Sequence, residues 1–144
     1  MKGHGLKRIR LPELNTKQRE VYYYQKISAI LADHGFQCVS LMTDWGGADF
    51  VAVHKDGPVR LIQLKSGGYE INRKYCPFPD LWMLFQQQGD WYLIKHCELV
   101  KKTDERTNQL KTKAWKEGGK FTIGRAKPLP SGLKEALRDY KIIC

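Results

Sequence analysis

The sequence lacks any apolar run near the ~20 residues that a membrane-spanning helix needs. Its basic N-terminus has no apolar stretch behind it, so we expect no cleaved secretory signal and a cytoplasmic protein. It also has no Cys-x-x-Cys pair, and its four cysteines are widely spaced. We therefore expect free thiols and no structural zinc site, because no usual spacing of zinc ligands occurs.

Acidic side chains are scarce: the 144 residues contain 15 Asp and Glu against 25 Lys and Arg, a net charge of +10. The excess lies at the two ends. Residues 1–20 carry six basic and two acidic side chains and residues 95–144 carry 13 and six, whereas residues 21–94 carry six and seven. Such an excess predicts a polyanionic partner, nucleic acid before an acidic membrane surface.

The first half of the chain has clear signals for one helix and three strands. Asn15 and Gln18 have the spacing of a capping box, and a stripe of apolar residues follows before Gly35. The segments expected from these signals are a helix over residues 16–34 and strands over residues 36–43, 48–55 and 59–65.

The second half is less regular. Its patterns predict strands around residues 81–85, 91–94 and 121–123, one or two short helices within residues 98–116, and a last helix over residues 131–140 that begins at Ser131 as its cap. The length fits one domain of residues 1–144, with a basic arm at residues 1–14 and a basic C-terminal part at residues 98–144. The expected fold is α/β, a central mixed sheet flanked by helices.

The second and third strands place an acid, an amide and an amine near each other. Asp49, Gln63 and Lys65 point to one face only if the connecting loop has an odd number of residues. A three-residue loop ending at Pro58 would put Asp49 opposite Lys65, whereas a two-residue turn would put Asp49 on the other face. We favour the odd loop, because proline has no N–H to donate in a paired position.

These groups suit phosphodiester hydrolysis. A carboxylate and an amide oxygen hold hard divalent cations, and a lysine can orient water or offset charge in the transition state. Glu20 lies on the predicted apolar stripe of the first helix, where a carboxylate needs a partner, although the dipole at the helix start is an alternative reason for its position.

The order helix, strand, strand, strand, with Gly47-Ala48-Asp49 and then Gln63-Leu64-Lys65, resembles the PD-(D/E)xK nuclease superfamily over about residues 16–67. Here the second motif is Gln-x-Lys, a variant that also occurs in a homing endonuclease of this restriction-endonuclease-like fold. The glutamine removes one negative charge, which should weaken metal binding or shift part of it to Glu20.

The resemblance implies a metal-dependent nuclease, a DNA endonuclease before an RNA-cleaving one, that uses Mg²⁺ or Mn²⁺ and works as a homodimer. The metal ligands would be Asp49, Gln63, the backbone carbonyl of Leu64 and in addition Glu20. Lys65 would be the catalytic lysine. The alternative is a nucleic-acid-binding protein of the same fold that has lost catalysis, and a basic adaptor for acidic proteins or membranes is a third class.

Basic residues near and beyond the motif are candidates for contacts with phosphates, although charged surfaces are often only solvated. The candidates are Arg73, Lys74, Lys101, Lys102, Lys111 and Lys113.

Overall fold

The computed structural model describes residues 3–144, and it begins its regular structure with a single helical turn, Leu11–Glu13, before helix α1 (Thr16–Ala32). Asn15 caps α1 as predicted: its Oδ1 accepts from the Gln18 backbone N–H at 2.9 Å, and the Gln18 side chain accepts from the Asn15 N–H at 2.9 Å. Ile27 and Leu31 of α1 are fully buried, and each contributes about 1.5–3 kcal/mol through burial. α1 is therefore fixed by its cap and by one apolar stripe.

A five-stranded mixed sheet forms the centre, with strand order β1-β2-β3-β5-β6. The pairing of β3 with β5 is parallel and the other pairs are antiparallel. These five strands are β1 (Phe36–Trp45), β2 (Ala48–His54), β3 (Val59–Lys65), β5 (Leu81–Gln87) and β6 (Asp90–Lys95). The mixed α/β architecture with a central mixed sheet, predicted from the sequence, is confirmed.

A second sheet and two more helices cover the face opposite α1. The second sheet pairs β4 (Gly68–Asn72) with β7 (Lys120–Gly124), and the helices are α2 (His96–Arg106) and α3 (Ser131–Ala136). Alternate residues of the central strands enter two separate cores. Phe50, Ile62 and Leu84 pack with α1, whereas Met83, Phe85 and Ile94 pack with Leu99 of α2 and Leu133 of α3.

The β2–β3 hairpin differs from its predicted register by two residues. Val53, not Lys55, pairs with Val59, so that Val51 pairs with Leu61 instead of Gln63. The turn is longer than predicted, because the His54 backbone is part of it. The His54 carbonyl accepts from the Gly57 N–H at 2.9 Å, and the His54 N–H donates to the Pro58 carbonyl at 2.8 Å. An odd number of residues still separates the last pair, so the predicted faces are kept although the predicted partners are wrong.

The C-terminal half departs more from the expectations. β4 forms where no strand was predicted, α2 begins at His96, and residues Ala114–Gly118 form a π-helical turn. Ser131 is the first residue of α3 and not its cap, since Pro130 precedes the helix as its N-cap residue without a side-chain hydrogen bond. Within residues 3–144, no helix combines the length and the apolar character that crossing a membrane requires.

Candidate active site

Asp49 is held at the start of β2 by a turn that depends on glycine. Gly47 has φ +82°, and a Cβ at this position would lie 2.9 Å from Leu81 Cδ2. A larger residue would therefore be strained and would collide with the core. The turn places Asp49 beside the last residues of β3, where its Oδ2 accepts from Gln63 Nε2 at 2.8 Å and from the Leu64 backbone N–H at 2.9 Å. Asp49 and Gln63 are thus in direct contact.

The pKa of the Asp49 carboxyl is raised, mainly because burial disfavours its charged form. The hydrogen bond from Leu64 and the charge of Lys65 act in the opposite direction, while the charges of Asp44 and Glu20 raise the pKa further. Both hydrogen-bond partners of Oδ2 are neutral amides, so neither supplies a positive charge. The ionised carboxylate would be stabilised by a cation.

A cavity of about 380 Å³ opens at this end of the sheet, between the first turns of α1 and the strand ends. It brings together the four side chains for which the sequence predicts catalytic roles. Its polar lining includes Glu20, Asp49, Gln63 and Lys65 from the predicted set, together with Lys17.

Glu20 occupies the solvent end of the helix stripe and not its buried part. Its side chain is 64% exposed, and its Oε2 lies 3.7 Å from Lys17 Nζ. Because the Glu20 carboxylate is exposed to solvent, it does not need the compensating partner that was expected for a buried carboxylate on the apolar stripe. Glu20 acts on Asp49 through its charge, and the structure records no hydrogen bond between the two within residues 3–144.

The Lys65 ammonium group faces a carboxylate that lies outside the predicted site. Its Nζ lies 3.1 Å from Glu70 Oε2, and it is 5.5 Å from the centre of the Tyr75 ring. Burial by itself lowers the pKa of Lys65, but the contacts with Tyr75 and Glu70 outweigh it, so that the pKa is raised. Lys65 is therefore protonated at neutral pH, so it can supply positive charge and does not act as a general base.

Glu70, Tyr75 and Asp44 are neighbours of the site that the sequence reasoning missed. Glu70 lies on β4, whose partner strand β7 is about 50 residues away in the chain. No local pattern links these strands. Asp44, in contrast, stands five residues before Asp49, and a turn between two strands could have suggested that their charges interact.

The donor groups fit a hard cation only if ligands other than carboxylates take part. Within residues 3–144, no group of three His, Cys, Asp or Glu side chains is placed to hold a metal ion. Asp49, the Gln63 amide and the Leu64 backbone meet at one point, and the structure records no hydrogen bond to Asp49 Oδ1 from the described residues. Mg²⁺ is usually bound by one or two carboxylates and keeps several waters, so this donor set suits it.

All four cysteines are free thiols.

The predicted phosphate contacts have unequal environments. Arg73 is engaged by the protein itself, since its Nη2 donates to the Trp115 carbonyl at 2.6 Å. Lys74 and Lys102 lie over the rings of Tyr75 and Tyr140, at 5.1 and 5.4 Å from their centres. The other three predicted phosphate contacts, Lys101, Lys111 and Lys113, are exposed. Lys113 Nζ lies 3.9 Å from Glu117 Oε1.

No family model matches the chain, and a comparison with curated proteins finds no match. Among solved structures, the chain is similar to a bacterial homing endonuclease, I-Ssp6803I. The two share 13% sequence identity, with a TM-score of 0.47 over 88% of this chain and 86% of that chain. At this identity and TM-score the similarity assigns no role to any residue of this chain.

Proposed function

We propose that the protein is a metal-dependent nuclease of the restriction-endonuclease-like fold, a DNA endonuclease that uses Mg²⁺. One observation carries this proposal: Asp49, held by the Gln63 amide and the Leu64 N–H, shares a cavity with Lys65 and Glu20. An incompletely compensated carboxylate beside an amide and an ammonium group suits metal-assisted hydrolysis of a phosphodiester.

In this proposal Asp49, the Gln63 amide oxygen and the Leu64 carbonyl hold the cation, and Glu20 adds negative charge nearby. A bound Mg²⁺ supplies a Lewis acid for the phosphate and lowers the pKa of a water molecule. Lys65, which is protonated, offsets the charge that develops on the phosphate oxygens. The Gln63 amide donates to Asp49, so the side chain would have to turn its amide by half a turn for the oxygen to serve as a ligand.

The charge distribution supports a polyanionic substrate. A net charge of +10 attracts a polyanion, and Lys17 and Lys65 line the cavity itself. Lys101 and Lys111 are exposed and remain candidates for more distant phosphate contacts. Two such sites would let the protein cleave both strands of a duplex in one encounter, and we therefore propose a homodimer.

A specific observation also favours the alternative, a nucleic-acid-binding protein without catalysis. Within the described residues no three-carboxylate group exists, and Lys65 is paired with Glu70. This alternative predicts salt-dependent DNA binding without cleavage, because phosphate contacts alone give affinity that falls steeply with salt.

Incubation of supercoiled plasmid with the purified protein separates the two functions. We expect nicked and linear DNA with Mg²⁺ or Mn²⁺ and none with EDTA. Lys65→Ala should lower the rate about 100-fold or more, since it removes a charge from the transition state. Equal rates for wild type and Lys65→Ala would contradict the nuclease assignment. A structured RNA of the same length, tested in parallel, shows which nucleic acid is preferred.

A further inference from the structure

Glu70 is a buried carboxylate to which the proposed function gives no role. The residue is 7% exposed, on a strand whose residues Gly68–Ile71 are all buried. Its neighbours Tyr69 and Ile71 pack into the core beneath the sheet, whereas Glu70 points to the opposite side. A buried carboxylate is costly unless positive groups compensate it, so its position calls for a reason.

Two lysines compensate Glu70. Lys65 Nζ lies 3.1 Å from Oε2, and Lys120 Nζ lies 3.5 Å from Oε1. Lys120 comes from β7, two residues from Thr122, the residue that pairs with Glu70. The two carboxylate oxygens are thus divided between a lysine that lines the cavity and a lysine on the neighbouring strand.

The backbone around Glu70 is held in place. Gly68 has φ +118°, and a Cβ there would lie 2.3 Å from the Ile123 carbonyl oxygen, so that only glycine permits β4 to approach β7 so closely. The Tyr69 hydroxyl hydrogen-bonds Thr103 of α2 on the buried side. Glu70 therefore stands on a strand anchored to both β7 and α2, and its carboxylate has little freedom.

Lys65, in contrast, has a long side chain with several rotatable bonds, and its Nζ also lies 5.5 Å from the centre of the Tyr75 ring. Cation–π contact with a tyrosine restrains distance but sets direction only loosely. An ammonium group without the Glu70 carboxylate would sample several rotamers, at a cost in the rate of any reaction that needs it in one place.

We propose that Glu70 is a positioning residue, which holds the Lys65 ammonium at the edge of the cavity toward the reacting phosphate. This inference rests on the proposed nuclease function for its catalytic consequence, and on the ion-pair geometry for the positioning itself. Glu70 does not touch substrate or metal in this proposal. It acts only through Lys65.

The test compares Glu70→Gln and Glu70→Asp with Glu135→Gln, which removes the same charge from an exposed position of α3. We expect Glu70→Gln to lower kcat about 10- to 100-fold with little change in KM, and Glu70→Asp to recover part of the loss because it keeps the charge. Glu135→Gln should match wild type. Wild-type kcat in Glu70→Gln would overturn the inference while leaving the nuclease function in place.

A double-variant comparison distinguishes positioning from a general structural role. If Glu70 acts through Lys65, then Lys65→Ala and Lys65→Ala/Glu70→Gln should have the same residual rate. A further loss in the double variant would contradict the proposal. Thermal unfolding of each variant is the control, since it shows whether a low cleavage rate arises only because the variant is unfolded at the assay temperature.

Nuclear magnetic resonance of the lysine side-chain nitrogens tests the positioning without cleavage. A held ammonium exchanges its protons slowly, so the Lys65 Nζ signal should be observed in wild type and lost in Glu70→Gln. Suppose that wild type does not cleave DNA, but the Lys65 Nζ signal is present in wild type and lost in Glu70→Gln. Then only the nuclease function fails, and the positioning stands. If the signal is the same in both proteins, the positioning fails whatever the cleavage assay shows.

Discussion

Two carboxylates lie on either side of the candidate catalytic lysine, and they differ in what compensates them. In the Asp49 site (Asp49, Gln63 and Leu64), the carboxylate accepts from two neutral amides. In the Glu70 cluster (Lys65, Glu70 and Lys120), the carboxylate has two ammonium groups within 3.5 Å. Burial raises the pKa of Asp49, because no ammonium group of the described residues pairs directly with its Oδ2.

The difference indicates which carboxylate is available for a ligand. A carboxylate between two lysines already has its charge compensated inside the fold, so that its removal mainly affects the groups it holds. A carboxylate with neutral partners keeps an uncompensated charge that a divalent cation would stabilise. This contrast supports the proposal that Asp49 binds the cation and Glu70 holds Lys65, a division that variants of each group can test.

The largest expected effect is that of Asp49→Asn on the metal-dependent reaction. The asparagine oxygen can still accept from Gln63 and Leu64, so the fold should be retained. Because the raised pKa means that the ionised carboxylate destabilises the folded state, the free energy of unfolding of Asp49→Asn at pH 7 should equal or exceed that of wild type. Cleavage should fall on the order of 1000-fold, and the rise in Tm on addition of Mg²⁺ should disappear.

Asp44→Asn is the matched control, because its charge also raises the pKa of Asp49 but it makes no hydrogen bond to Asp49 within the described residues. It should keep a rate near that of wild type. A Tm increase with Mg²⁺ that persists in Asp49→Asn would place the cation elsewhere, and the division between the two carboxylates would be wrong.

Acid should destabilise the Glu70 side of the molecule through His96. This residue is 0% exposed, and its Nε2 accepts from the Asn72 N–H at 3.1 Å. Burial lowers the pKa of His96 to about 4 from 6.5, although the charge of Glu70 opposes the shift. Between pH 6.5 and pH 4 the unfolded chain binds more protons, so the free energy of unfolding falls as pH falls, by about 3 kcal/mol in total.

Urea unfolding at several pH values measures this slope. His96→Gln, which keeps a hydrogen-bond acceptor, should flatten the curve between pH 6.5 and pH 4. His34→Gln should leave it as in wild type, because His34 is exposed on the surface. If His34→Gln and His96→Gln change the slope equally, His96 is not the group that titrates.

Lys65→Met tests whether the Glu70 cluster is compensated as described. The variant leaves Glu70 buried with only Lys120, at 3.5 Å, as its partner. Loss of one partner from a buried ion pair usually costs about 3–5 kcal/mol, and the remaining lysine should reduce the cost to about 2 kcal/mol. The double variant Lys65→Met/Glu70→Met should regain most of the stability, since two apolar side chains replace the pair. Chemical unfolding of both variants tests this, and equal destabilisation of both would contradict it.

How far the sequence could predict this molecule depends on the separation of the residues involved. α1 and the β2–β3 hairpin follow from local signals, namely the Asn15 cap, the apolar stripe and the turn before Val59. These signals also bring Asp49 to the face of Gln63. They do not give the exact register, because hydrogen bonds within the turn occupy His54 and shift the strand pairs by two residues.

The partner of Lys65 could not be predicted in the same way. Glu70 is five residues from Lys65 in sequence, but its burial depends on the pairing of β4 with β7, which follows about 50 residues later. The alternation that predicts one buried face fails for β4, because its successive residues Gly68–Ile71 are all buried. Long-range packing therefore buries a segment for which no strand was predicted and brings Glu70 to Lys65.

The smallest expected effect, that of Glu20→Gln, shows how sharply the Asp49 site is bounded. Glu20 is 64% exposed and its ion pair with Lys17 spans 3.7 Å, so its loss should change the unfolding free energy by less than about 0.5 kcal/mol. An exposed charge several ångströms from a divalent cation contributes on the order of 1 kcal/mol, so the Mg²⁺ concentration for half-maximal cleavage should rise roughly fivefold. Lys17→Gln should shift it the opposite way, because that variant leaves Glu20 unpaired. A loss as large as that of Asp49→Asn would instead make Glu20 a direct ligand, and the charge that Gln63 lacks would then be supplied from α1.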